Sequence, residues 1–277
     1  MKNHGAKKLN IAIIGAGKIG SAIAVSLQNH YNVVATRRRK IKDNLINGTI
    51  PVTRDNRQAA SNADIIIVTV KPGQIIRVLQ NIKDEVKGKP VISFAAAIPI
   101  SMLKKAAPES QIIRAMTNIA VMAQSSYTVY AFSDNVTDEN KKIAVEIFSK
   151  FGASREVDEK YIDAMTALSG SGPAYLYTVI EALTYGGLLI GLPRDIAMEA
   201  VAHTFIGTAK LLLSSKNHPA ELKDMVVTPG GVTIEGIYEL EDSRVRTAMM
   251  KAISAAFKKS KIIAEDIQKD SMKLLEE

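Results

Sequence analysis

Short, dense apolar runs alternate with amphipathic stretches through the first half of the chain, and the alternation stops near Asp158. Leu9, Ile11, Ala12, Ile13 and Ile14 are too densely apolar for a half-exposed strand and fit the middle of a parallel sheet. The pattern predicts further strands over 32–36, 63–70, 90–95, 111–116, 127–131 and 154–157, rich in β-branched residues. Between them, helical spacing of apolar residues predicts helices over 73–82, 100–106 and 138–148. Strands alternating with helices imply an α/β fold, a Rossmann-type doubly wound parallel sheet with right-handed crossovers. From 161 onward every apolar pattern is helical: 161–169, 173–190, 193–213, 219–227, 232–240 and 243–275, most of them opened by Pro or closed by Gly. The expected organisation is therefore a dinucleotide-binding domain over 1–157 and an all-helical substrate and dimerisation domain over 158–277. Helices with as little polar surface as 174–192 need a partner, and a homodimer through this half is expected.

The first strand runs into Gly15-Ala16-Gly17-Lys18-Ile19-Gly20 and then a helix, the context that a dinucleotide fingerprint requires. Gly15 permits the tight turn, Gly17 lets backbone approach a pyrophosphate, and Gly20 lets the helix pack on the strand. The helix N-terminus then faces the phosphates. About twenty residues on, where an NAD enzyme usually places an acid, the second strand ends in Thr36, Arg37 and Arg38. A guanidinium can hold a 2′-phosphate with paired charge-assisted bonds, so the expected cofactor is NADP, with NADPH preferred over NADH. Ligands of doubly wound sheets lie beyond the carboxyl ends of the strands, which marks Thr69, Val70, Lys71 and Pro72, then Ala95 and Ala96, then Asn118 as rim residues. Lys71 taken alone reads equally well as turn chemistry.

Two glycine breaks interrupt the helical half. Ser169-Gly170-Ser171-Gly172-Pro173 reads either as a helix corner or as a place where backbone comes close to a ligand. Thr228-Pro229-Gly230-Gly231-Val232-Thr233 precedes a helix and brings N–H groups, a dipole end and two hydroxyls together, which makes a small anion site or a plain N-cap.

Composition narrows the chemistry. The 277 residues contain no Cys, which removes disulfides, thiol nucleophiles and thiolate metal sites and fits a cytoplasmic enzyme. The four histidines show no pair at metal-ligand spacing, so no metal is expected. A net charge of +8 fits an anionic partner or mere solubility, and the one compact basic run, Arg37-Arg38-Arg39-Lys40, lacks interleaved aromatics. Nucleic acid is not expected as a partner. No apolar run reaches membrane-spanning length, so no membrane is expected either.

GAGKIG, VKP after the third strand, RAMTN before Ile119, ALSGSGPAYLY and TPGGVTIEG occur in order and spacing that resemble pyrroline-5-carboxylate reductases over nearly the whole chain. The resemblance implies NAD(P)H-dependent reduction of a cyclic imine to L-proline, the last step of proline biosynthesis, in a homodimer that can assemble further into larger rings. It implies cofactor contacts at 15–20, around Arg37, at Asn56, at 69–72 and at Ala95 and Ala96. It places the substrate carboxylate on the Gly230, Gly231, Val232 and Thr233 backbone and the Thr228 hydroxyl, with Glu159 near the ring. Thr233 is the candidate hydrogen-bond partner and proton relay for the ring nitrogen. Three departures stand out: Ile119-Ala120 where the family usually has Thr-Pro, Thr228 and Val232 within the late loop, and Ala97 where glycine is usual. Two other readings are an NADP-dependent hydroxyacid dehydrogenase and a non-catalytic NADP-sensing dimer. The helix after the interdomain glycines carries no Lys, and no Tyr is followed four residues later by Lys, so alcohol-oxidising machinery is missing from the sequence.

Overall fold

The computed structural model describes residues 8–38 and 45–276, so Arg39 and Lys40 of the basic run lie outside the described residues. The chain forms two compact units, Met1–Ser171 with Ala256–Glu277, and Gly172–Ala255. The strand pattern ends near 157, whereas the compact units part at 171/172.

In the first unit the order is β1 (Asn10–Ile14), α1 (Lys18–Leu27), β2 (Asn32–Thr36), β3 (Leu45–Ile46), β4 (Ile50–Thr53), α2 (Asn56–Ser61), β5 (Ile65–Val68), α3 (Ile75–Asn81), β6 (Pro90–Ser93), α4 (Ile100–Ala106), β7 (Gln111–Met116), β8 (Ser126–Phe132), α5 (Asp138–Ser149), β9 (Gly152–Glu156) and α6 (Ile162–Met165). The helical half continues with α7 (Gly172–Leu189), α8 (Arg194–Ser215), α9 (Pro219–Asp224), α10 (Val232–Asp242) and α11 (Val245–Glu276), the last of which ends in the first unit. The strands form one sheet in the order β3-β4-β2-β1-β5-β6-β7-β8-β9. From β4 through β7 all neighbours are parallel, and β1 is central because Ile11, Ala12, Ile13 and Ile14 are buried on both faces. One face packs α1 and α5 around Ile23, Leu27, Ile147, Phe148 and Phe151, and the other packs α3 and α4 around Ile75, Leu79 and Leu103. Ile267, Leu274 and Leu275 of α11 cover the second face, and the Gln80 amide donates to Leu274 O at 2.8 Å.

The expectation of a parallel sheet needs correction at both edges. β3 is antiparallel to β4, and β8 is antiparallel to β7. Only residues 117–125 join β7 to β8, with a 3₁₀ turn and no crossover helix, and so short a link permits only antiparallel neighbours. β8 and β9 are parallel to each other, joined by α5.

The second unit is helical. α7 and α8 pack on each other, close enough that a Cβ at Gly187 would lie 2.8 Å from the Ala197 Cβ. Their remaining surface is apolar and open, with Leu189 90% and Leu213 84% exposed. α8 is long and apolar enough by composition to cross a bilayer, contrary to the sequence expectation. It carries Arg194, Asp195, Glu199, His203 and Lys210.

Candidate active site

The glycine loop is built as its spacing requires. Gly15 has φ +98°, and a Cβ there would meet Val70 Cγ1 at 2.6 Å and Val70 N at 2.9 Å. Thr36 O accepts from the N–H groups of Gly15 and Ala16, at 3.2 and 2.8 Å, which ties the turn to the end of β2. A Cβ at Gly20 would lie 2.4 Å from Thr69 Oγ1, so this glycine makes room for the threonine, whose hydroxyl donates to Gly15 O at 2.9 Å. At Gly17 the nearest atom to a built Cβ is Gly15 O, 3.9 Å away. Gly17 is the N-cap of α1 and no side chain caps that end. Among the described residues the first-turn N–H groups have no side-chain partner, and the residues fit a pyrophosphate.

The space beside this loop is a cleft of about 950 Å³. It is lined by Gly15, Ala16, Gly17, Thr36, Arg37, Arg38, Asn56, Thr69, Val70 and Lys71. Arg54 and Arg77 also line it, two cations that sequence reasoning did not single out, together with Gln74. Asn56 reaches the cleft because Asp55 caps α2, accepting from Gln58 N at 3.0 Å. At its other end α2 is held by Lys89, whose Nζ donates to Ala60 O and Ser61 O, both at 3.0 Å. Burial lowers the Lys89 pKa below the ordinary lysine value, opposed by the charges of Asp64 and Glu85. Not every predicted contact comes to the cleft. Lys18 lines a separate hollow with Ser21 and Met122, Gly20 lies buried under the loop, and Ala95 is 2% exposed.

A second hollow of about 420 Å³ lies over the carboxyl ends of the strands. Ile19, Thr69, Pro72, Phe94, Ala96, Met116, Thr117, Asn118, Thr166, Gly170 and Ser171 line it. Thr69 is common to both hollows. The far wall is a π-helical turn, Thr166–Gly170, the first part of the glycine break after α6. Irregular turns of this kind present backbone that a regular helix hides. Asn118 caps the 3₁₀ turn Ile119–Ala123 through Oδ1, which accepts from Ala120 N at 3.0 Å. A proline in the place of Ala120 would have no such proton, so the departure at Ile119-Ala120 gives this loop a cap of its own.

Arg114, 2% exposed, braces the walls from beneath. Its Nη1 donates to Glu159 Oε1 at 3.0 Å and its Nη2 to Asp163 Oδ1 at 2.5 Å. Glu159 Oε1 also accepts from Ile100 N at 2.7 Å, at the start of α4. The contacts of Glu159 in this unit are thus to Arg114 and to a helix N-terminus.

In the helical unit, Gly231 is the N-cap of α10 and no side chain caps it, although Thr228 and Thr233 both stand nearby in sequence. Gly230 has φ +68° and Gly231 N donates to Thr228 O at 3.0 Å, folding residues 228–231 into a tight turn. A Cβ at Gly231 would sit 2.3 Å from Thr228 Oγ1, so glycine lets that hydroxyl lie over the helix start. Thr233 is half-buried and Val232 is 91% exposed. The arrangement supplies helix-end N–H groups beside a hydroxyl, a fit for a small carboxylate.

Comparison with known proteins agrees with both halves. The family profile described as pyrroline-5-carboxylate reductase dimerisation matches residues 159–263, and one described as NADP oxidoreductase, coenzyme F420-dependent, matches residues 10–97. The chain is 40% identical over 260 residues to the pyrroline-5-carboxylate reductase of Methanosarcina acetivorans, covering 91% of this chain and 96% of that one. It is 34% identical to the human pyrroline-5-carboxylate reductase 2, over 90% of this chain and 82% of the relative. Among solved structures, the Plasmodium falciparum pyrroline carboxylate reductase with NADP bound superposes with a TM-score of 0.85 at 32% identity, covering 94% of this chain and all of that one.

Proposed function

The chain belongs to the pyrroline-5-carboxylate reductase family, and from that premise we infer which of its residues carry the reduction of pyrroline-5-carboxylate to L-proline by NAD(P)H. The reduced nicotinamide, when bound, supplies the hydride, and imine reduction asks little acid–base chemistry of the protein. The task of the chain is to bind, orient and exclude water.

The observation that carries the assignment is the continuity of the first unit's surface: an uncapped glycine loop, a cation-lined cleft and a strand-end hollow, joined at Thr69. The α1 N-terminus holds the pyrophosphate. Arg37 and Arg38 hold a 2′-phosphate, with Arg54, Lys71 and Arg77 on the same cleft, which favours NADPH over NADH. The strand-end hollow seats the nicotinamide against Phe94, Ala96 and Thr117, between walls that Arg114, Glu159 and Asn118 hold in place.

For the substrate, the carboxylate is assigned to the N–H groups of Val232 and Thr233 and the Thr228 hydroxyl, in the turn that Gly230 and Gly231 allow. Thr233 is the partner of the ring nitrogen. α7 contains no Lys, so the residue that a hydroxyacid dehydrogenase would need there is missing. The open apolar surface of α7 and α8 supports a homodimer through the helical unit, with larger rings as a further step of assembly. The lack of cysteine supports a cytoplasmic enzyme.

The test is loss of reduced-nicotinamide absorbance on addition of pyrroline-5-carboxylate, run with both coenzymes and with 2-keto acids as controls. Oxidation with the imine alone, faster with NADPH, is the expected result. Turnover of keto acids, or none with the imine, overturns the assignment.

A further inference from the structure

Ala97 adopts φ +69°, the left-handed conformation that glycine takes without cost and alanine does not. It stands in the turn between β6 and α4, one residue after Ala96, which lines the strand-end hollow. The turn is therefore a place where the nicotinamide wall is built on an unfavourable backbone angle and must be held from outside. Ala97 is 7% exposed, and its carbonyl oxygen accepts from Gln268 Nε2 at 2.7 Å, across 171 residues of sequence. Gln268 lies on α11, in the stretch that belongs to the first unit, beside Ile267, Leu274 and Leu275 in the core under α3 and α4. The Gln80 side chain donates to Leu274 O and fixes that stretch a second time, so the amide reaching Ala97 comes from an anchored element.

We propose that Gln268 is a positioning residue for hydride transfer: its amide holds the left-handed Ala97 turn so that Ala96 keeps the nicotinamide wall in place. Gln268 touches neither substrate nor cofactor and acts only through the Ala97 carbonyl. The inference rests on the reading that the strand-end hollow seats the nicotinamide. The adenosine end binds elsewhere, in the cation-lined cleft, so loss of Gln268 should misplace the reacting ring without releasing the cofactor.

Gln268→Met keeps length and helix propensity and removes the donor. In the full chain it should lower kcat about tenfold while the KM for NADPH changes less than about twofold, the signature of a misoriented rather than an unbound reactant. Gln268→Glu, which faces the carbonyl with an acceptor, should lower kcat at least as far. Ala97→Gly in the Gln268→Met background should restore most of the lost kcat, because glycine holds the left-handed angle unaided. Either single variant turning over like the parent, a fall in KM affinity matching the fall in kcat, or no rescue by Ala97→Gly would overturn the proposal. A parent that does not oxidise NADPH with pyrroline-5-carboxylate fails the functional assignment itself. Parent turnover with unaffected variants fails only this one.

Discussion

The Asn118 side chain reaches across the strand-end hollow to Ser169, its Nδ2 donating to the serine carbonyl at 3.2 Å and to the hydroxyl at 3.3 Å. The two residues lie 51 positions apart and on different walls: Asn118 follows β7, and Ser169 sits inside the π-helical turn. Through Oδ1 the same amide caps the loop after β7. One side chain therefore fixes a strand end, a 3₁₀ turn and the opposite wall. Asn118→Ala should lower kcat/KM for NADPH by about tenfold, since a displacement near 1 Å of a positioning wall costs at least that much. Asn118→Asp keeps the cap but cannot donate to the Ser169 carbonyl, and should retain the fold with most of the same loss. Steady-state kinetics beside thermal melts separate the two contributions; an Asp variant with parent kinetics would mean the Ser169 bond is idle.

Cofactor preference should follow the cations of the cleft. Arg37 N donates to Thr53 O at 3.0 Å, so the backbone is tied to β4 and Arg37→Ala removes the guanidinium without moving the strand. A charge-assisted bond to phosphate contributes about 1.5–3 kcal/mol, so kcat/KM with NADPH should fall about 10- to 100-fold while that with NADH holds. Arg54→Ala and Arg77→Ala, measured with both coenzymes, report whether these cations serve the 2′-phosphate or the diphosphate. A 2′-phosphate contact weakens NADPH alone, and a diphosphate contact weakens both.

The sequence made the central sheet and the glycine loop legible because their signals are local. A run such as Ile11 to Ile14 is buried on both faces, and the spacing of Gly15, Gly17 and Gly20 marks the turn by itself, although the residues that Gly15 and Gly20 make room for, Val70 and Thr69, follow β5 and could not be read from it. β3 and β4 were not legible: they span two and four residues and include Pro51, which weakens any strand pattern. α2 was missed because it buries only Ala59 and Ala60, too little for helical periodicity to register. Arg54 and Arg77 are single exposed cations whose neighbours in space come from other elements, so nothing local distinguishes them from solvated surface. Arg114 stood in a quoted motif, yet its ion partners lie 45 and 49 residues downstream, and no spacing rule joins them.

The late glycine turn offers a variant that separates binding from folding. In Gly231→Ala the new Cβ would press on Thr228 Oγ1, 2.3 Å away, whereas the nearest backbone atom, Thr228 O, stands at 3.2 Å. The hydroxyl can rotate aside, so the turn should survive and the hydroxyl should leave the helix start. The expected result is a KM for pyrroline-5-carboxylate raised about tenfold, the worth of one hydrogen bond to a carboxylate, with a melting temperature close to the parent. Thr228→Val should match it, and the double variant should be no worse than either, because both remove one interaction. Additive losses would place the two residues in separate roles.

Tyr31 provides a pH test remote from the cofactor cleft. It is 7% exposed and packs in the core beneath α1, and among the described residues its hydroxyl, with Glu146 nearby, has no partner at hydrogen-bonding geometry. Burial first, then the charge of Glu146, raises its pKa to about 12 from the ordinary 10.0. A phenol harder to ionise when folded contributes stability that is whole below pH 10 and is lost as pH rises toward 12, because the unfolded chain releases the proton first. The loss should approach about 2 kcal/mol at the top of that window. Tyr31→Phe removes the ionisation together with the unpartnered hydroxyl, so it should match or exceed the parent at pH 7, by up to about 1 kcal/mol, and lose less between pH 10 and 12. Tyr130, also raised by burial with Glu156 nearby, is the internal control. Denaturant unfolding at pH 7 and pH 11 distinguishes them: if Tyr31→Phe keeps the full alkaline loss and Tyr130→Phe abolishes it, the alkaline weakness belongs to β8 and not to the entry of β2.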